Sequence, residues 1–378
     1  MSTAGVSMLA STLVSREVRT RAPREYLLYI GTYTTGTTGP SEGIYVYRMN
    51  SVTGELSHSN AIKSVNPSFL AIDRSKRFLY AVNEVNDYAG KSSGAVSAFR
   101  IDSSSGDLTF LNQQETLGAD PCYLTLNRSA TTLLVANYTG GSVAVLPVYS
   151  KGQLGPPTDL QQHQGSSVRP QQSGPHAHSI VLDRTQRYAL AADLGIDKVL
   201  IYRFDPKFRK LTPARQPWIA FTPGTGPRHL TFHPDGRHVY VINELNSSLT
   251  AIRYNEVTGT LSLLEAVTTL PTDFHEPNYC ADVHVAPSGR FLYGSNRGHD
   301  SIVSFEIDVR TGRLKYIEHV STGGKWPRNF TIDPTGNFLL VANQRSDNVV
   351  CFRIDARTGR LTQIGEVPIP SPACLKFA

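Results

Sequence analysis

A pattern of two β-strands joined by a tight turn recurs along the chain. Its clearest copy, residues 227–244, has an alternating strand, a Pro-Asp-Gly turn and a second β-rich strand that ends in Asn. The same frame recurs at residues 67–84, 121–138, 177–194, 280–297 and 327–344, and the second strands end at Asn83, Asn137, Asp193, Asn243, Asn296 and Asn343. The intervals between these last residues run from 47 to 56 positions. Such a period is typical of four-stranded blades rather than of helical repeats.

A second hairpin follows each copy of this pattern, and one more hairpin of the same kind precedes the first copy. Most of these hairpins turn at a Thr-Gly pair, where glycine readily adopts the positive φ that a tight hairpin needs. The first strands of the seven hairpins are expected at residues 43–49, 95–101, 143–149, 199–204, 249–254, 302–307 and 349–354. Two hairpins per interval predict seven blades of four antiparallel strands.

The first unit lacks an opening strand, and the other end of the chain supplies one. Residues 372–377 read like the strands that open the other units, and residues 27–33 read like the second strand of a unit. Pairing them would close the ring and leave no open sheet edge. We therefore predict an all-β fold over residues 26–378, a seven-bladed β-propeller closed by N- and C-terminal strands in one blade. Neither Trp218 nor Trp326 precedes Asp, so the signature of WD-repeat scaffolds is absent.

Composition excludes several other classes of protein. Hydrophobic residues make up 40% of the 378 and charged residues 18%, which excludes a disordered chain. No apolar run approaches the roughly 18 residues of a membrane helix, so we expect no membrane partner. The four cysteines are widely spaced, which favours a reducing compartment. We expect a cytoplasmic protein, with an organelle as the alternative, since residues 1–25 read either as a disordered tail or as a Ser- and Arg-rich transit segment.

The net charge of +6 suggests an acidic ligand. A basic pocket for a small anion and a basic surface for nucleic acid would both produce such a charge. Lys and Arg form only short pairs, and no basic stripe alternates with aromatic residues. We therefore expect a small anionic substrate, no nucleic-acid partner, and a monomer or weak homo-oligomer.

Topology brings one set of positions to the mouth of the central channel. The first two strands of each blade are antiparallel, so the start of the first and the end of the second lie on the same rim. The first strand is innermost in a propeller, so these positions surround the channel mouth. Aligned on the turn, they are Ser68, Cys122, His178, Arg228, Ala281 and Arg328 in the first strands, and Glu84, Tyr138, Leu194, Glu244, Arg297 and Gln344 after the second strands.

Charged and polar members of this set, with their neighbours, form the predicted site. Arg228 and His178 occupy the same position in neighbouring blades, and Glu244 belongs to the blade of Arg228. Burying such groups is costly unless they are hydrated or bind a ligand, although a set of rim ion pairs is the alternative interpretation. The residues expected to bind substrate are His176, His229, Asp282, Arg328, Asn243 and Glu84.

This combination suits attack on, or formation of, a lactone in an acidic molecule. Arginine forks bind carboxylate or phosphate and can stabilise an oxyanion, and a Glu or His can transfer the proton. The pairs His176-x-His178 and Asp282-x-His284 resemble fragments of a metal site, but no third ligand is evident. We expect no metal and no cofactor. Serine-hydrolase, dinucleotide and P-loop motifs are absent from the sequence.

The sequence resembles the seven-bladed propeller lactonase family, which contains propeller-type 6-phosphogluconolactonases and fungal carboxy-cis,cis-muconate cyclases. The resemblance spans about residues 26–378. It depends on motifs that include Tyr29-Ile30-Gly31-Thr32-Tyr33, Asn66-Pro67-Ser68, Gly174-Pro175-His176-Ala177-His178, Gly226-Pro227-Arg228-His229, Val241-Ile242-Asn243-Glu244, Ser295-Asn296-Arg297-Gly298 and Trp326-Pro327-Arg328-Asn329-Phe330.

The resemblance implies hydrolysis of 6-phospho-D-glucono-1,5-lactone in the pentose phosphate pathway. It also implies catalytic roles for a His, a Glu and two Arg, which by motif are His178, Glu244, Arg228 and Arg297. On this basis either Glu244 or His178 activates water or relays the proton, and Arg228 stabilises the carbonyl oxygen. Arg297 and Arg328 would hold the anionic group. Two alternatives remain: a cycloisomerase that forms a lactone from a carboxymuconate, and a non-catalytic propeller that binds protein or sugar.

Overall fold

The predicted blades are present as seven separate four-stranded sheets in which neighbouring strands run antiparallel. The structure, a computed structural model, describes residues 1, 24–35 and 40–378. The predicted tail, residues 1–25, lies almost wholly outside the described residues, so its division from the propeller stays a prediction. None of the helices in the described part of the chain is long and apolar enough to cross a membrane.

The described residues form 28 strands, four to a blade. Blade 1 contains β1 (Glu25–Thr32), β2 (Gly43–Asn50), β3 (Leu56–Lys63) and β28 (Pro372–Phe377); blade 2 contains β4 (Leu70–Ile72), β5 (Phe78–Asn83), β6 (Ala95–Ile101) and β7 (Leu108–Glu115); blade 3 contains β8 (Pro121–Leu126), β9 (Thr132–Asn137), β10 (Ser142–Pro147) and β11 (Asp159–Gln162). Blade 4 contains β12 (Ala177–Leu182), β13 (Tyr188–Asp193), β14 (Lys198–Asp205) and β15 (Lys210–Ala220); blade 5 contains β16 (Pro227–Phe232), β17 (His238–Asn243), β18 (Ser248–Asn255) and β19 (Thr260–Thr268). Blade 6 contains β20 (Tyr279–Val285), β21 (Phe291–Arg297), β22 (Ser301–Ile307) and β23 (Leu314–Ser321); blade 7 contains β24 (Pro327–Ile332), β25 (Phe338–Asn343), β26 (Asn348–Ile354) and β27 (Leu361–Pro368). A 3₁₀ turn at Pro170–Gln172 precedes blade 4.

The closure of the ring is confirmed. β28 pairs antiparallel with β1, with Leu28 opposite Phe377 and Ile30 opposite Leu375. The predicted third strands also occur at the expected places, although the strand expected at residues 143–149 is β10 and ends at Pro147. Proline has no N–H to donate, which is consistent with the end of the ladder there.

A repeated hydrogen bond joins consecutive blades. Tyr240 in blade 5 donates its hydroxyl to the carbonyl of Gly312 in blade 6, at 3.0 Å. Gly312 has a φ of 76° and belongs to one of the Thr-Gly turns. Equivalent bonds join Tyr29 to Gly106, Tyr80 to Gly152 and Tyr293 to Gly359. These four bonds fix blade 1 to blade 2, 2 to 3, 5 to 6 and 6 to 7, because in each pair a tight turn presents the glycine carbonyl to the tyrosine.

A β-bulge at the start of the inner strands determines what fills the channel. In β16 the pairing with β17 passes from Pro227 directly to His229, so Arg228 is an extra residue. Side chains normally alternate along a strand, but a bulge redirects one of them. Arg228 and His229 are both buried and bonded to groups of blade 6, at Ala281 and Asp282. Similar irregularities occur in β8, β12, β20 and β24.

Candidate active site at one mouth of the channel

Glu244 lies between two buried arginines. Its Oε2 is 2.8 Å from Nε of Arg228 and 2.8 Å from Nη2 of Arg297. The first contact is an ion pair rather than a well-aligned hydrogen bond, since Nε of Arg228 has no hydrogen-bond partner among the described residues. The Glu244 side chain keeps 16% of its surface exposed, against 2% and 5% for the two arginines. The carboxylate is therefore the part of this cluster that a ligand can reach.

Backbone carbonyls hold both arginines in place. Nη1 of Arg228 donates to the carbonyl of Ala281 at 2.5 Å, across to the neighbouring blade. Arg297 donates to the carbonyls of Tyr279 and Cys280, each at 3.1 Å, within its own blade. Donors fixed before the substrate arrives can stabilise charge in a transition state without a cost of reorganisation.

Glu84 forms a second carboxylate cluster. Tyr33 donates its hydroxyl to Glu84 Oε2 at 2.8 Å, and Ser68 donates to the same oxygen. Nη2 of Arg328 lies 3.7 Å from Oε1 of Glu84, and its guanidinium carbon is 5.1 Å from the centre of the Tyr33 ring. The long ion-pair distance leaves donors of Arg328 available for an anionic ligand.

His178 contributes a ring nitrogen without a protein partner. Its Nδ1 lies 3.5 Å from the Sγ of Cys122, and its ring contacts Tyr138 edge-on at 5.2 Å between centres. No hydrogen bond to Nε2 of His178 occurs among the described residues. His176 stacks on Tyr138 at 4.5 Å and donates Nδ1 to the Tyr138 carbonyl at 3.0 Å. Two of the three predicted histidines, His176 and His178, are therefore brought together at the mouth by contacts with Tyr138.

His229 and Asp282 lie deeper and support the mouth instead of lining it. Nδ1 of His229 is 2.8 Å from Oδ1 of Asp282, and its Nε2 is 3.2 Å from Nη1 of Arg228. The other oxygen of Asp282 accepts from Asn329 and lies 3.0 Å from Nε2 of His284. Both side chains are 5% exposed. We therefore interpret His229 and Asp282 as groups that position Arg228, and the substrate contact expected from the sequence stays a prediction.

Asn243 is not brought together with the other predicted residues. Its side-chain amide donates to Ser248 and Thr250 in the third strand of its own blade, at 2.9 Å each. The residue is fully buried. Asn137 and Asn296 donate to the third strands of their blades in the same way, and the side-chain oxygen of Asn83 accepts from Ser97 in its third strand. The asparagine at this repeat position thus binds one strand of the blade to another, and the substrate contact predicted for Asn243 has no support in its placement.

The electrostatics of the mouth keep Glu244 and the buried histidines unprotonated, so that they can accept a proton. Burial raises the pKa of Glu244, but Arg297 and Arg228 outweigh it and hold that pKa below its ordinary value. Burial and the charge of Arg228 lower the pKa of His178 well below its ordinary value and that of His229 to about 4. Burial raises the pKa of the Cys122 thiol, which argues against a thiolate nucleophile. Near neutral pH the mouth offers a carboxylate and neutral imidazoles beside fixed cations.

These shifts predict that stability falls as the pH is lowered from about 6.5 to about 4. His229 and His178 stay neutral in the folded protein, whereas in the unfolded chain they take up protons as the pH drops through about 6.5. Each can contribute a slope of up to about 1.4 kcal/mol per pH unit. Urea unfolding at several pH values measures the slope of the unfolding free energy against pH. His229→Gln should reduce the slope and the exposed His58→Gln should not, and an unchanged slope in His229→Gln would contradict the assignment.

Several residues at this mouth were not among the predicted site residues, although the alignment had placed Ser68 and Tyr138 at the mouth. Tyr33 and Ser68 bond Glu84, and Tyr138 contacts both His176 and His178. Trp326 lies between two guanidinium groups, 5.2 Å from that of Arg297 and 3.5 Å from that of Arg345, measured to a ring centre. Trp326 has a φ of 65°, a conformation unfavourable for a bulky residue. The positions before Pro67, Pro121, Pro227 and Pro372 share a positive φ, so the alignment of the repeats could have singled out the tryptophan.

The cluster of metal-type ligands in the described part of the chain lies at the other end of blade 5. It consists of His233, Asp235 and His238. Nδ1 of His233 accepts from the N–H of Asp235, its Nε2 donates to the Gly289 carbonyl at 2.8 Å, and Nδ1 of His238 donates to Asp235 at 2.8 Å. These bonds hold the turn between β16 and β17 together, so the turn itself explains the cluster.

A model of the seven-bladed β-propeller lactonase family matches residues 27–377 of the chain. A 6-phosphogluconolactonase from Bacillus subtilis is 38% identical over 310 residues, which are 82% of this chain and 85% of that protein. A 6-phosphogluconolactonase from Formosa agariphila is 36% identical over 313 residues, 81% of this chain and 86% of that protein.

Two solved structures of proteins named as lactonases are also similar to this chain. A periplasmic gluconolactonase from Pseudomonas aeruginosa superposes with a TM-score of 0.88 and 37% identity, covering 94% of this chain and 99% of that one. A putative 6-phosphogluconolactonase from Bacteroides fragilis superposes with a TM-score of 0.87 and 37% identity, covering 94% of this chain and 98% of that one.

Proposed function

The chain belongs to the lactonase family of seven-bladed β-propellers, and from this premise we propose that it hydrolyses 6-phospho-D-glucono-1,5-lactone to 6-phosphogluconate. The observation that carries the proposal is the position of the Glu244 carboxylate between the buried arginines Arg228 and Arg297. A third arginine of the same mouth, Arg328, also acts on this carboxylate through its charge. The names of the relatives in Bacillus and Formosa support the phosphorylated substrate.

In the proposed mechanism, Glu244 accepts a proton from the attacking water. Its Oε2 is fixed by Arg228 and Arg297, while Oε1 has no hydrogen bond among the described residues and can meet the water. The water oxygen forms a bond to the lactone carbonyl carbon, and the negative charge moves to the carbonyl oxygen, where Arg228 stabilises it. Collapse breaks the bond to the ring oxygen, which takes the proton back from Glu244.

His178 is the competing candidate for the base. It also presents an unpartnered nitrogen, Nε2, and is unprotonated at neutral pH. Because both pKa values lie below their ordinary values, the acid limb of kcat/KM does not separate the two candidates. The turnover of Glu244→Gln and of His178→Gln at neutral pH does, since only loss of the base removes the proton acceptor. We assign the base to Glu244, since two ion pairs fix its position, and place His178 beside the substrate as a hydrogen-bond partner.

Arg328 is proposed to hold the phosphate. Because a hydrogen bond to a charged group contributes about 1.5–3 kcal/mol, Arg328→Met should raise KM for the phosphorylated lactone by about 10- to 100-fold and change kcat less. Hydrolysis of unphosphorylated glucono-1,5-lactone should be nearly unaffected. Arg313→Met, which removes an exposed arginine paired with Glu265 on the outer strands, is the control. Equal losses on both lactones would contradict a phosphate contact.

The test of the function is hydrolysis of freshly generated 6-phosphogluconolactone, coupled to 6-phosphogluconate dehydrogenase, with spontaneous hydrolysis subtracted. We expect activity above background that persists in the presence of a chelator, because the proposed steps use only protein side chains. Loss of activity with the chelator would contradict this metal-free mechanism. No activity on this lactone, together with turnover of a carboxymuconate, would establish the cycloisomerase alternative, and inactivity on both would favour a binding module.

We further propose that the protein acts in the pentose phosphate pathway of the cytoplasm, as a monomer or weak homo-oligomer. All four cysteines are free and buried, which suits a reducing compartment. An organelle reached through residues 1–25 is the alternative. Fractionation of cells that express the full chain tests the compartment, and light scattering of the purified protein tests the oligomeric state.

A further inference from the structure

The channel has a second mouth, on the side where the first two strands of each blade turn. A cavity of about 420 Å³ opens there, and a second cavity of about 340 Å³ adjoins it. Cavities that bind small molecules in proteins begin at about 300 Å³, so the space suffices for one. Three basic side chains line both cavities, namely Arg74, Arg128 and Lys376.

A layer of side chains separates this cavity from the candidate active site. Phe69 and Tyr123 stack at 4.1 Å between ring centres, and His229 contacts both rings edge-on, at 5.9 and 5.1 Å. These residues come from blades 2, 3 and 5, so their contacts cross the channel. Phe69 and His229 are almost fully buried. A ligand in the second cavity therefore cannot touch Glu244.

The three basic groups that line both cavities have no carboxylate partner in the described part of the chain. Lys376 places its Nζ 4.7 Å from the centre of the Phe69 ring, and Arg128 donates to the carbonyl of Arg184. Arg74 makes no ion pair with the described residues and is exposed. By contrast, the fourth basic residue of the cavity, Arg184, is already paired with Glu256 at 2.6 Å.

The carboxylates that line the cavity are occupied by other groups. Asp183 is fully buried and accepts the backbone N–H groups of Arg187 and Tyr188. Asp282 lies against His229 and His284. Neither makes an ion pair with the basic rim. The larger cavity is lined by four Lys and Arg side chains and, among the described residues, by only these two carboxylates, so it carries an excess of positive charge beside a half-buried aromatic wall of Tyr123 and Phe232.

We propose that this cavity is a second, non-catalytic site for a small organic phosphate. Lys376, Arg74 and Arg128, from blades 1, 2 and 3, hold the phosphate, because three cations on one rim match its double negative charge better than the single charge of a carboxylate. The carbon skeleton of the ligand packs against Tyr123 and Phe232. His284, which is 30% exposed and lines the same cavity, lies beside the bound anion.

The test is calorimetric titration of the full chain with glucose 6-phosphate and, separately, with inorganic phosphate. Arg328→Met weakens the catalytic mouth, so any binding that remains in this variant reports the second site. Adding Lys376→Met and Arg74→Met should weaken that remaining binding by at least about 10-fold. Adding Lys207→Met and Arg203→Met instead, which removes the same charge from exposed outer positions, should leave it unchanged.

A second measurement identifies the position of the ligand. In Arg328→Met, the ring signals of His284 in an NMR spectrum, assigned by their loss in His284→Gln, should shift along the same binding curve as the calorimetry. Lys376→Met/Arg74→Met on the wild-type background should keep its lactonase activity, because both residues lie outside the catalytic mouth. Loss of all binding in Arg328→Met alone, or equal binding in the two triple variants, would overturn the proposal.

Tighter binding of glucose 6-phosphate than of inorganic phosphate is expected, and equal affinity would overturn the part of the proposal that assigns a carbon skeleton. Because the readout is binding, its result does not depend on whether the proposed lactonase activity exists.

Discussion

Glu244→Gln is expected to lower kcat for 6-phosphogluconolactone by about 10²- to 10⁴-fold, the range that a positioned acid–base group supplies. The substitution keeps the size of the side chain but removes the charge that accepts the proton of water. The coupled dehydrogenase assay measures the effect after subtraction of spontaneous hydrolysis. KM should change less than kcat, because binding of the phosphate is assigned to Arg328.

Stability must be followed in the same experiment. Glu244 neutralises two buried arginines, and breaking a buried ion pair by removing one partner costs about 3–5 kcal/mol. Activity is therefore measured below the unfolding transition, with circular dichroism to confirm the folded fraction. Glu318→Gln is the matched control: Glu318 is also 16% exposed and paired with an arginine, Arg360, but lies on an outer strand. A folded Glu244→Gln variant with the turnover of Glu318→Gln would refute the assignment of the base.

Arg228→Met is expected to lower kcat by about 10²- to 10³-fold, the loss seen when one donor to a developing oxyanion is removed. Arg228 is 1% exposed, and its Nη1 donates to the carbonyl of Ala281. The orientation of its guanidinium group is therefore set before the substrate binds. Steady-state measurement of kcat and KM distinguishes this role from simple binding, since removing an interaction made only in the transition state lowers kcat and leaves KM unchanged.

Arg228→Lys separates charge from geometry. Lysine keeps the positive charge next to Glu244 but lacks the planar fork that can bond Glu244, Ala281 and an oxyanion at once. We expect its kcat to lie between those of the wild type and Arg228→Met, with a thermal stability closer to that of the wild type. An Arg228→Met or Arg228→Ala variant with full turnover would exclude a role for this arginine in stabilising the oxyanion.

The repeat made the fold predictable. Strand, turn and strand recur in register along the chain, and the turn residues show where each blade begins, so the number of blades and the closure of the ring by β1 and β28 followed from local patterns. The same alignment brought Arg228, Glu244 and Arg297 to one mouth, because antiparallel pairing dictates which strand ends share a rim. Their ion pairs at 2.8 Å are the consequence.

Depth within the channel was decided only by the tertiary structure. The sequence indicates that Arg228 and His229 are neighbours, but strand alternation alone would put them on opposite faces. The bulge at the start of β16 turns both inward, and cross-channel contacts with Phe69 and Tyr123 then place His229 in the separating layer. Such contacts join residues that are more than a hundred positions apart, and no local pattern encodes them.

Asn243 and Tyr33 show the same division between local pattern and tertiary contact. The repeat singles out Asn243, yet hydrogen bonds to Ser248 and Thr250 bury it inside its blade, since a buried amide must satisfy its donors wherever partners lie. Tyr33 reaches Glu84 because blades 1 and 2 pack side by side, which is a contact between two different sheets. The sequence by itself determined the blades, their order and the charges at one mouth. The packing of seven blades around one axis decided which of those side chains face a ligand, because that depends on contacts between distant strands.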